Sequence, residues 1–128
     1  NKFSNVFFHG AYKQQERYDF AAETDLIHNV YENDAGMQKA MSNKYYDGII
    51  FRIPQLCMAG SYMGNRVSKE KVGMAVDPYL DTFAEKILCY YENINWKAFY
   101  DACDTVTKQV AEEYEAGKAV IGDFIKLE

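Results

Sequence analysis

The chain is poor in the residues that most often announce a function. It has only two prolines and eight glycines in 128 residues, which excludes a low-complexity, collagen-like or linker-rich chain. Three cysteines, Cys57, Cys89 and Cys103, make an odd count with no CxxC pair. That excludes a disulfide framework and points to reduced thiols in a cytoplasmic or other reducing compartment. No apolar run approaches the length of a membrane span, and no signal peptide is visible. The chain opens on Asn1 rather than Met, which reads as removal of a leader or tag, or as part of something longer. Positive charge is in deficit, with 14 Lys and Arg against 19 Asp and Glu and a net charge of -5. This argues against binding along a phosphate backbone and favours a basic protein partner.

The motifs of nucleotide and acyl chemistry are also missing. There is no GxxxxGK[ST], no GxGxxG and no GxSxG. Two histidines, His9 and His28, are too few for a bundle-type di-metal site. Asp25, His28 and Glu32 are spaced to share one helix face, which describes a surface histidine between acids. No metal and no cofactor is expected. Among nucleophiles, Cys57 stands out as the thiol least committed to an apolar stripe, with His28 or His9 as the base it would need. The carboxylate pairs, such as Asp101 with Asp104, fall on wet faces, where nothing perturbs them into an acid and a base.

What the chain does have is aromatic surface and two amphipathic stretches. Tyrosines number 11 and phenylalanines 8, more than a core of this size can absorb. From Asp77, a candidate N-cap followed by Pro78, the positions Leu80, Phe83, Ala84, Ile87, Leu88 and Tyr91 recur at three and four. Asn93 and Asn95 interrupt, and either suits the cap of a second helix. That helix carries Phe99, Cys103, Val106, Val110 and Tyr114 on one side. Lys97, Asp101, Asp104, Lys108, Glu112 and Glu115 lie on the other, and Gly117 supplies a left-handed stop. The spacing predicts helices over 77–92 and 96–116, joined tightly enough to be antiparallel neighbours lying on a core.

The rest of the chain supplies the sheet. Phe3–His9 and Ile49–Ile53 read as strands, and Asp47-Gly48 as the turn before the second. Gln55–Ala59 fits strand or helix, and Met74–Val76 a short strand. The end after Gly117 reads as one strand or two about a Gly122-Asp123 hairpin turn. A helix is expected from Phe20 to Asn33, capped by Asp19, and a shorter one from Asp34 to Lys44 with Met37, Ala40 and Met41 inward. Gly60–Gly73, with Arg66, Lys69 and Lys71, reads as a loop. The sum is one domain over 1–128, helix-rich α+β, with a small sheet covered by helices; a mostly helical fold is the alternative.

The function this composition favours is a protein-binding module of inhibitor, immunity or accessory type, docking an acidic, tyrosine-rich face on a basic surface. Its contact residues would be Tyr90, Tyr100, Asp101, Asp104 and Glu112. Two alternatives carry other signatures. A structural subunit of a larger assembly or oligomer would show a large apolar face. A small enzyme would place Cys57 or a histidine at the 60–73 stretch.

Overall fold

The computed structural model describes residues 3–31, 36 and 38–125. Its elements in chain order are α1 (Glu16–Ala22), β1 (Ile27–Asn29), α2 (Asn43–Ile50), β2 (Gln55–Met58), α3 (Tyr62–Glu70), β3 (Gly73–Val76), α4 (Phe83–Glu92) and α5 (Trp96–Ile125). The fold is helix-rich α+β, as the composition and spacing imply. The sheet is parallel, in the order β1-β2-β3, with Asn29 opposite Cys57 and Cys57 opposite Ala75. Parallel neighbours need long crossovers, and α2 and α3 provide them. The central strand β2, Gln55-Leu56-Cys57-Met58, is buried throughout, as a strand covered on both faces must be.

The core is Tyr45 and Ile49 of α2, Cys57 of β2, Met63 and Val67 of α3 with Val72 after it, and Phe99, Cys103 and Val106 of α5. A polar bridge runs through it. Asn29 and Gln55 are both buried; the Asn29 amide donates to Gln55 Oε1 at 2.9 Å, and the Gln55 amide donates to the Tyr45 carbonyl at 2.8 Å. These bonds tie β1 to β2 and β2 to α2, and they satisfy groups that would otherwise be stranded in an apolar interior. A second network closes the α2–α3 side. The Tyr45 hydroxyl donates to Glu70 Oε2, and Glu70 Oε1 pairs with Arg66 at 2.6 Å.

Several expectations are corrected. Phe3–His9 is not a strand: the sheet consists of β1, β2 and β3 alone among the described residues, and Phe7 and Phe8 stand exposed. The helix expected over Phe20–Asn33 ends at Ala22, and Ile27–Asn29 is a strand because its backbone pairs with β2. Asn33, Asp34 and Met37, expected to end one helix and open the next, lie outside the described residues, as does Glu32. Residues 43–50 are helical, so Asp47-Gly48 is no turn and Ile49–Ile53 no strand. The real role of Gly48 is proximity: a Cβ there would sit 2.4 Å from the Gln55 side chain. Pro54 precedes a strand rather than ending one. The 60–73 stretch is mostly α3, started by Ser61, whose hydroxyl accepts from Gly64 N at 2.9 Å, and stopped by Lys71 in the left-handed region at φ 60°.

The helix pair also differs. Asp77 makes a local turn, its carboxylate accepting from Tyr79 N at 3.0 Å, and α4 starts only at Phe83. None of its residues is fully buried, so α4 is a flanking helix rather than a core element. It touches β3, and its Tyr91 hydroxyl donates to Asp25 Oδ1 at 3.0 Å. Asn93 closes α4 by donating to the Cys89 carbonyl at 2.8 Å, and Asn95 opens α5 by accepting from Ala98 N at 3.1 Å. Gly117 does not stop α5, which continues to Ile125 and leaves no hairpin at Gly122-Asp123. Extending a helix already nucleated on the core is cheap, so two glycines at about 1 kcal/mol each do not break it.

Candidate docking surface on the long helix

Helix α5 divides into two halves that share one apolar stripe. Over the first half, Phe99, Cys103 and Val106 are buried and Val110 is half-buried against the core. The same three-and-four spacing continues through Tyr114, Gly117, Ile121 and Phe124, with Ile125 beside it. Here no body lies beneath it: every residue from 111 to 121 is exposed, and Phe124 is 69% exposed where Phe99 is 4%. Val120, on the flank of the stripe, is exposed as well. An apolar stripe loses free energy for every side chain it leaves in water, so such a continuation is a candidate contact surface.

The opposite face carries the charge. Asp101 pairs with Lys97 at 2.7 Å, Asp104 with Arg52 at 2.6 Å, Glu112 with Lys108 at 3.9 Å and Glu115 with Lys118 at 3.2 Å. All these side chains are exposed, and such solvent-screened pairs add little to stability. They hold the carboxylates in a row without locking them away. Hydrogen bonding and attraction to Asp101 push the Lys97 ammonium above its ordinary pKa.

Of the expected contact residues, Tyr100, Asp101, Asp104 and Glu112 line this outward side of α5. The Tyr100 ring lies against Trp96 and Phe99, at 5.9 and 5.8 Å, with the Arg52 guanidinium 5.6 Å over it. Tyr90 belongs elsewhere: it is half-buried on α4, and burial, with the Cys103 sulfur adding to it, pushes its hydroxyl up to about 12. Two parts of the surface were missed. Arg52 arrives from the end of α2 on a backbone at φ 56°, which sequence spacing does not reveal. Val120, Ile121, Phe124 and Ile125 read as strand residues once Gly117 is taken as a stop, although the stripe's own period runs straight through it.

The chemical candidates are kept apart. Cys57 is fully buried in the central strand, contrary to the expectation that it is the least buried thiol, and burial pushes it up to about 12. At neutral pH it stays protonated and out of reach. His28 pairs in register with Leu56, so it shares the face of Leu56 and points away from Cys57. His9 rests edge-on against Phe20, with ring centroids 4.7 Å apart. Cys103 is buried and Cys89 exposed. Among the described residues, no group of three His, Cys, Asp or Glu could hold a metal ion, and no helix is long and apolar enough to cross a membrane.

Two of the concave places on the surface carry charged walls beside α3, β3 and α5. A groove of about 450 Å³ between α3 and α5 mixes signs, with Arg66 and Lys69 facing Glu70 and Glu113. A smaller cavity of about 190 Å³ sits where β2 and β3 end, lined by Ala59, Val76, Asp77, Leu80, Phe83 and Lys86. No family model, no curated protein and no solved structure matches the chain.

Proposed function

We propose that this protein is a binding module whose docking element is α5, acting by covering a partner protein rather than by transforming a substrate. The observation that carries this reading is the apolar stripe that continues, uncovered, from Tyr114 to Ile125. The outward face, with Tyr100, Asp101, Asp104 and Glu112, supplies a second contact for a basic partner. Its carboxylates exchange weak intramolecular pairs for intermolecular ones, so this contact steers encounter and confers salt dependence more than it adds affinity. The test is recovery of the partner from the native source, with the mass of the complex determined at low and high salt. Asp101→Lys with Asp104→Lys is expected to weaken that complex about tenfold and to flatten its salt response, as loss of rim charges does. An unchanged affinity would remove the acidic face from the contact.

A small-ligand reading has one observation in its favour. In open parallel sheets ligands settle beyond the carboxyl ends of the strands, and the 190 Å³ cavity lies there, with Asp77 and Lys86 as its charged walls. It places any chemistry at β3 and α4 and leaves Cys57 out. A screen of small polar ligands by thermal shift decides it: a hit whose stabilisation is lost in Lys86→Ala supports it, and a hit that survives that change places the ligand elsewhere.

A further inference from the structure

We infer that the partner covering the outer half of α5 is a second copy of this chain, paired antiparallel through residues 111–125. The inference rests on the reading of α5 as the docking element and adds what docks there.

The direction of pairing follows from where the body lies. The stripe of the inner half is buried against α2, β2 and α3. The outer half presents the same side of the helix. A second α5 laid parallel on that side would drive its own inner half into this body. Laid antiparallel, the two outer halves overlap alone, and the two bodies sit at opposite ends of a shared helical strut.

One register uses every large apolar side chain that the outer half, among the described residues, leaves in water. With the dyad near Ala119, Tyr114 of one copy meets Phe124 of the other, and Ile121 enters the space that Gly117 leaves. Val120 meets its own counterpart on one flank, and Ile125 meets Ala111 on the other. Large residues thus face small ones or stack as aromatic pairs. Tyr114, Val120, Ile121, Phe124 and Ile125 are each between 62 and 70% exposed. At about 150–250 Å² for an aromatic side chain and less for an aliphatic one, they bring roughly 600 Å² per copy. Complete burial on both copies sets an upper bound of roughly 1,200 Å², the lower end of a specific interface. Among the described residues the one like-charge approach is Lys118 against its counterpart, and each carries its own Glu115 at 3.2 Å. The acidic outward face stays free on both copies.

The experiment is sedimentation of the full chain across the micromolar range, at low and high salt, with cross-linking by single cysteines in a Cys89→Ser background. The wild type is expected to be a dimer whose stability does not fall with salt, because the contact is apolar. Ile121→Asp is expected to raise the dimer dissociation constant about thirtyfold or more, with an unchanged Tm in dilute solution as the sign that the body is intact. Val120→Cys is expected to form an interchain disulfide readily, and Phe124→Cys to do so poorly, since Phe124 lies far from its own counterpart. Equal cross-linking at both positions would mean a parallel pair and overturn the inference, as would a dimer indifferent to Ile121→Asp. A wild type that is monomeric throughout overturns it too. In that case, loss of the native partner on Ile121→Asp would leave α5 as the docking element for a different protein. An unaffected native complex would remove that reading as well.

Discussion

Gly64→Ala is expected to destabilise the fold by about 3 kcal/mol and to lower its Tm by on the order of 10 °C. Gly64 lies in the first turn of α3, directly over the end of the central strand. A Cβ at this position would be 2.1 Å from the Met58 carbonyl oxygen, a backbone atom that cannot step aside without moving β2. That carbonyl is also the anchor of the turn, accepting from the Ser61 hydroxyl at 2.7 Å, while the same hydroxyl accepts from Gly64 N at 2.9 Å. Pushing the helix away therefore stretches the cap as well as the helix–strand contact. The sign of the effect is diagnostic. Glycine inside a helix is worse than alanine by about 1 kcal/mol, so without the close approach the substitution would stabilise. Urea denaturation of the variant beside the wild type reads this directly, and a raised midpoint would mean that α3 does not sit this close to β2.

The same close approach explains what sequence reasoning could and could not reach. Amphipathic period alone located α5 up to residue 116, its start at Trp96 and the inward residues Phe99, Cys103 and Val106, because a three-and-four repeat has one structural solution over that length. Asn93 and Asn95 were equally eligible as its cap, and Asn95 is the one that serves. Met74–Val76 was legible as a strand for its small apolar run. Glycine misled at three places. Gly48 resembles a turn residue but permits contact with Gln55, Gly64 sits in what resembled a loop but permits contact with Met58, and Gly117 resembles a stop but lies mid-helix. In each case the reason for glycine, or its lack of one, lies in a neighbour distant in sequence or in the helix already propagating through it. The sheet's parallel order was equally out of reach, since β1 and β2 are short and their burial comes from crossovers rather than from alternation. Of the candidate site, the acidic row was legible as a row. Three of its pairs, Lys97–Asp101, Lys108–Glu112 and Glu115–Lys118, join helix neighbours three or four apart, whereas the pairing of Asp104 with Arg52 depends on tertiary placement.

Within α5 the substitution of one phenylalanine by alanine should have opposite consequences at the two ends of the stripe. Phe99→Ala empties a buried position bounded by core residues, and is expected to cost 3–5 kcal/mol, from lost burial and from the cavity left behind. Phe124→Ala removes a ring that is 69% in water, and in dilute solution should change stability by no more than about 0.5 kcal/mol. For association the order reverses. Phe124→Ala should weaken binding through α5 by roughly 2 kcal/mol, the loss typical of an aromatic anchor, whereas Phe99→Ala, wherever it stays folded, should leave that contact intact. The pair separates two explanations of one continuous stripe. If the outer half folds back on its own body in solution, Phe124→Ala will destabilise the dilute chain as a core substitution does, and the stripe will have no surface left to offer. If the stripe is kept for a partner, the dilute chain will not register the loss and the complex will. A helix that carries two glycines in its exposed half holds together more firmly against a second surface than alone. Amide exchange over 111–125 should therefore slow on association in the wild type and remain fast in Phe124→Ala.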